Sequence, residues 1–223
     1  MFARLRNSKT GGFVLELLML VLGINTALWF EGQFQDFQEA RAEADYLAGL
    51  KRDLLEDAAS LGRLGKVNEA RAGELEEIAG AVPTFAGRPG GEVVGMMFAV
   101  STYEFFEPED FTYRAMQESG DFRLVSSPAL KEALLRQHRR YRLIGILEEN
   151  FLQALDDEYI PLMIRSIDMT AGTLADDTVG ENLILRNMIA FAVNDTRARA
   201  AHYRQAHGKA LELVELIDAE LGG

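Results

Sequence analysis

The chain has 223 residues, 48% of them hydrophobic, no cysteine and a formal net charge of −12. That length holds one domain and an anchor, and the lack of cysteine excludes disulfides, thiolate chemistry and Cys-based zinc sites without fixing the compartment. Three of the 23 basic residues and one of the 35 acidic residues lie in the first 30 positions, which leaves 20 basic against 34 acidic beyond them. A body so acidic repels nucleic acid and anionic headgroups, so no nucleic-acid partner is expected.

Arg4, Arg6 and Lys9 open the chain, and the run FVLELLMLVLGINTALWFEGQ begins at Phe13. A helix from Gly11 to Gly32 rises about 33 Å, close to the hydrocarbon thickness of about 30 Å. A cleaved signal peptide is the competing reading, but Leu28, Trp29 and Phe30 occupy positions where a cleavage site needs small residues. Residues 1–12 read as a cytoplasmic tail, 13–32 as a transmembrane helix and 33–223 as a periplasmic helical domain. Basic residues stay inside, which orients the chain in a bacterial inner membrane with its N-terminus cytoplasmic and places Trp29 and Phe30 at the outer interface.

Gly12, Glu16, Gly23 and Ala27 share one helical face, and Gly23 with Ala27 makes a small-xxx-small pair that admits another helix backbone. Asn25 lies on the opposite face and offers a second interhelical hydrogen bond. Two readings of these polar residues stay open. Either Glu16 reaches toward headgroups and Asn25 bonds its own backbone, or the span packs against other transmembrane proteins. The span has no histidine to ligate a pigment or haem metal.

After Glu31 no proline interrupts the chain before Pro83. Leu47, Leu50, Leu54, Leu61, Leu64, Leu75, Ile78 and Val82 follow 3-4 spacing, with Asp57, Asn68 and Arg71 as polar misfits. This predicts one long helix continuous with the span, with Gly62, Gly65 and Gly73 as points where it bends or breaks. Residues 81–92 read as a loop and the apolar run after Val93 as a short helix. Tyr103, Phe105, Phe106, Phe111 and Tyr113 form an aromatic group among acids. Its first expected use is core, its second a partner-binding patch.

A short helix is predicted to end at Gly120, and Ser127-Pro128 to start the next. Leu130, Leu134, Tyr141, Ile144, Phe151 and Leu155 line one face of that helix to about Asp157, and Pro161 ends or kinks the helical stretch after it. Residues 166–182 read as a polar loop. A last helix carries Leu185, Ile189, Ala192, Tyr203, Ala210, Val214, Ile217 and Leu221. The fold class predicted is all-α: one N-terminal transmembrane helix continuing into an antiparallel helical bundle.

Glu16, Gly23, Ala27, Leu28 and Trp29, together with Thr112, Tyr113, Ser119, Gly120, Asp121, Leu130 and Leu134, carry a resemblance. The combination resembles an uncharacterised bacterial family of single-span membrane proteins with a helical extracytoplasmic domain. It covers the chain from the span to about Pro161 and implies topology, with no activity attached.

Chemistry-bearing patterns are sparse. His138, His202 and His207 lack metal-ligand spacing, and Asp156-Asp157-Glu158 and Asp176-Asp177 lack the order of a calcium loop. Ser119-Gly120-Asp121 is explained by a capping turn. No catalytic residues, cofactor or metal are expected, and enzyme chemistry is not indicated. The expected role is an accessory subunit stabilising a larger membrane complex, with photosynthetic reaction-centre and respiratory assemblies as candidate hosts. The alternative is a periplasmic sensor or regulator signalling through its span.

Overall fold

The computed structural model describes the backbone of residues 9–222 and the side chains of residues 16–222. The chain is all-α apart from one two-residue hairpin. Helix α1 (Lys9–Ala81) runs unbroken through both expected boundaries, after residues 12 and 32, and through Gly62, Gly65 and Gly73, so the predicted bend is absent. Tertiary packing explains the difference, because the cost of a helical glycine, about 1 kcal/mol, is small beside the burial of the flanking leucines.

A 3-10 turn over Val82–Gly87 and α2 (Gly90–Val100) occupy the stretch predicted partly as loop. Residues 102–110 are extended and lead into α3 (Phe111–Ser119), which ends where Gly120 takes φ +80°. Helix α4 (Pro128–Ala154) starts as predicted, with Ser127 Oγ accepting from the Leu130 N–H. The helical path does not stop at Pro161. Leu155–Tyr159 form a π turn that runs into α5 (Ile160–Ser166), with Pro161 in its first turn, where a missing N–H costs no intrahelical bond. The wide turn aims Tyr159 inward, where its hydroxyl donates to Met97 O at 2.8 Å.

Ile167–Asp168 pair antiparallel with Thr173–Leu174, a hairpin inside the segment expected to be loop. A 3-10 turn (Asp177–Glu181) leads to α6 (Leu183–Gly222). A Cβ on Gly180 would stand 2.8 Å from Val82 O and 3.0 Å from Phe85 Cβ. Gly180→Ala is therefore expected to destabilise by about 1–3 kcal/mol, read as a lower midpoint in thermal denaturation.

Helix α6 lies along α1. Lys51 pairs with Asp218, His207 Nδ1 meets Ala58 O, Glu69 pairs with Arg204 and Glu76 with Arg197, the α6 partner falling in number as the α1 residue rises. Helix α4 also packs on α6. Three apolar clusters succeed one another along these helices: one around Leu50, Leu130 and Ile217, one around Leu61, Ile144 and Tyr203, and one around Leu75, Met97, Phe151 and Leu185. The α4 face predicted from spacing is buried throughout, and the α6 face is buried except Leu221, which is 41% exposed on the last turn.

Candidate functional site

Two regions of the molecule hold functional groups in unusual settings. The first is the apolar start of α1. One helix among those described, this one, is long and apolar enough to cross a membrane. Leu17 to Leu22, Ile24, Leu28, Trp29 and Phe30 are all exposed, and so are Phe34 and Phe37 beyond them. No described part of the domain folds back to cover them. Glu16 stands beside Leu17, Met19 and Leu20 in an open apolar depression. A Cβ on Gly23 would meet nothing within 4 Å. Ala27 is equally open. Asn25 Nδ2 donates to Val21 O at 2.8 Å, so its amide hydrogen serves its own helix, one of the two readings open from the sequence. Trp29 and Phe30 touch edge to face, with ring centroids 5.1 Å apart. Gly12 lies outside the residues whose side chains are described, and residues 1–8 of the tail lie outside the described residues altogether.

The second region is a buried polar layer where α1, α4 and α6 meet the extended segment 102–110. Arg199 is 1% exposed. Its Nε donates to Asp195 Oδ2 at 2.7 Å and its guanidinium stacks over the Phe151 ring, 4.6 Å from the centroid. Glu148 Oε1 accepts from the Tyr203 hydroxyl and, at 2.9 Å, from the Phe106 N–H. Asp57 Oδ1 accepts from the Glu109 N–H and Asp53 Oδ2 from the Thr112 N–H. Carboxylates of two helices thus satisfy backbone donors that the extended segment leaves without a ladder. Burial pushes the Glu148 and Asp195 carboxyls upward, with Arg199 opposing both. Asp57 is pushed up to about 6, also by burial. Tyr141 Oη, beside Asp57, is buried without a hydrogen-bond partner.

No protein-family model, curated protein or solved structure matches this chain.

The aromatic group divides between the two uses expected of it. Phe106 is buried against Tyr141, and Tyr113 stacks on His138 with centroids 3.4 Å apart. Phe105 stacks with Tyr103 and flanks the Arg199 guanidinium. Tyr103 and Phe111 are exposed, 42% and 72%, but Phe111 stands apart from the stacked pair, so the five do not form one patch.

The histidines serve separate contacts. Burial pulls His138 down to about 4, against the Asp110 charge, so it is neutral in its stack. His207 bonds Ala58 O on α1. Among the described residues no three His, Asp or Glu side chains are grouped to hold a metal ion. Asp176 caps the turn at Thr178, and Asp121 accepts from the Tyr46 hydroxyl at 2.7 Å, which ties the Ser119-Gly120-Asp121 turn to α1.

Sequence reading missed Arg199 and Glu148. A signal existed for the first: Arg199 lies four residues from both Asp195 and Tyr203 and seven from Ala192, on the predicted core face of α6.

Proposed function

We propose that the chain is a non-enzymatic, membrane-anchored accessory subunit that packs against and stabilises a larger membrane protein complex. In this reading the apolar part of α1 crosses a bacterial inner membrane with its N-terminus cytoplasmic. The rest forms a periplasmic antiparallel bundle, and α6 partners that fall in number along α1 support that arrangement. The observation that carries the reading is the set of large apolar side chains from Leu17 to Phe37 left exposed by their own chain. Lipid accounts for a band about 30 Å tall. Protein accounts better for the small residues Gly23 and Ala27 on the Glu16 face and for Phe34 and Phe37, which extend the apolar surface past that band. A photosynthetic reaction-centre or respiratory assembly is a host of the right kind, since both surround a core with single-span helices.

Extraction in mild detergent, a native gel and mass spectrometry of co-migrating bands tests this directly. The expected result is migration in a complex much larger than the 24.8 kDa chain. Migration alone overturns the reading. Replacing Glu16 and Gly23 together by Leu is expected to release the chain from its complex while it stays in the membrane fraction.

A sensor that signals through its span is the second reading. The unbroken helix from Lys9 to Ala81 favours it, because such a rod transmits rotation or piston motion. Inserting one alanine near Gln38, in the exposed part of the rod, distinguishes the two. It rotates the domain by about 100° and would alter signalling output while leaving membrane association intact.

A further inference from the structure

The outer face of α4 interleaves arginines with aliphatic side chains. Leu135, Leu143 and Ile146 are 48%, 45% and 47% exposed, and they stand with Arg139 and Arg142 at positions i, i+4, i+7, i+8 and i+11 of one stripe. Arg139 and Arg142 make no ion pair among the described residues, and Arg140 reaches only Gln137 Oε1 at 3.5 Å. Free cations on a chain of net charge −12 are unusual, since that field supplies carboxylates on most sides.

An acidic stripe lies next to it. Leu211 and Leu216 are 40% and 42% exposed on α6, beside exposed Glu212, Glu215 and Glu220. Gln137 Nε2 donates to Ala206 O at 2.9 Å, and Arg136 and Arg140 face Glu212 and Leu216 across a shallow groove. The two stripes therefore run side by side at the same level of the fold.

We infer that this two-helix face is a homodimer interface, in which the Arg139–Arg142 stripe of one copy covers the Glu212–Glu215 stripe of a second. A two-fold axis parallel to α4 and α6 sets each basic stripe opposite an acidic one and keeps both copies of α1 pointing the same way. Side-by-side stripes of opposite sign are self-complementary under that operation, and the aliphatics supply the part of the contact that gains from losing water. A polyanion is the poorer occupant, because the net charge repels it and aliphatic rungs offer phosphate nothing. A second copy also brings the required acidic, leucine-bearing stripe with it. The inference is independent of the accessory-subunit reading.

The face is two helices wide, about 20 Å, and about 18 Å long, smaller than a standard interface, so dissociation in the micromolar range is expected. Sedimentation of the full chain in detergent micelles at about 100 µM should give a dimer that weakens as salt rises. Arg139→Glu with Arg142→Glu makes both stripes acidic, and Glu212→Arg with Glu215→Arg makes both basic. Each double variant alone should self-associate at least about tenfold more weakly. An equimolar mixture of the two should dimerise again, which also shows that both are folded. A monomeric wild type, or a mixture no more dimeric than its parts, overturns the proposal. So does a dimer that survives both charge reversals and is lost in Gly23→Leu, since that result places self-association in the apolar part of α1.

Discussion

Replacing Arg199 by Ala is expected to lower the unfolding free energy by about 3–5 kcal/mol, more than any other single substitution in the buried polar layer. The guanidinium is sealed from water, and its removal leaves the nearly buried Asp195 carboxylate without its 2.7 Å partner. The Phe151 and Phe105 faces lose a cation between them, and a large side chain leaves a void in a packed layer. Glu148 loses the positive charge that opposes its own desolvation, so its bonds to Tyr203 and Phe106 are weakened as well. Guanidinium denaturation of the full chain in detergent reads the loss, and the thermal midpoint should fall by about 10 °C. Arg199→Met with Asp195→Leu is the informative control. Removing both charges together leaves no orphan, so the double variant should recover most of the loss. If Arg199→Ala costs under about 1 kcal/mol, the pair contributes nothing to the fold.

The same layer marks where sequence reading stops. Helix caps are local, so Ser127-Pro128 and Gly120 were legible from a few residues each, and the apolar faces of α4 and α6 came from 3.6-residue spacing. Asp57, Asn68 and Arg71 sit among the α1 leucines as misfits to that spacing. Asp57 and Asn68 are nonetheless buried, and all three hold hydrogen bonds: Asp57 to the Glu109 N–H, Asn68 to Leu64 O, Arg71 to Ala99 O. Periodicity scores apolarity, whereas the partners of Asp57 and Arg71 lie 52 and 28 residues away and obey no local pattern. Phe106 and Phe111 illustrate the same gap. They are five residues apart in a uniformly aromatic and acidic stretch, yet one packs on Tyr141 and the other faces water, because the path of segment 102–110 is set by carboxylates on other helices. The π turn and the two-residue hairpin fall below the length at which any period can be read. The candidate site divides likewise: exposure of the α1 apolar face was legible from hydropathy, and the α4 and α6 stripes needed the two helices side by side.

Asp57→Asn is expected to change the pH dependence of stability more than stability itself. Burial holds the folded Asp57 near 6, against 3.8 when free. Between those values the folded chain keeps a proton that the unfolded chain has released. The penalty is therefore complete above about pH 6 and lifts as pH falls toward 4. His138 acts in the opposite sense. Its folded value near 4, against 6.5 when free, means that the folded chain refuses a proton the unfolded chain accepts. Its contribution is intact above about pH 6.5 and is lost as pH falls to 4. Each displacement is worth about 3 kcal/mol, so the two nearly cancel between pH 7 and 4. They also sit together, since Tyr141 touches the His138 ring edge and stands beside Asp57. The amide introduced by Asp57→Asn can still accept from the Glu109 N–H without a buried charge, so the variant should gain about 1–3 kcal/mol at pH 7 and then lose stability steeply on acidification. His138→Phe keeps a ring against Tyr113 and removes the other arm, so its stability should rise from pH 7 to 4. Denaturation midpoints at half-unit steps of pH separate these curves. Parallel profiles for wild type and both variants would mean that neither group is desolvated as its position in the fold requires.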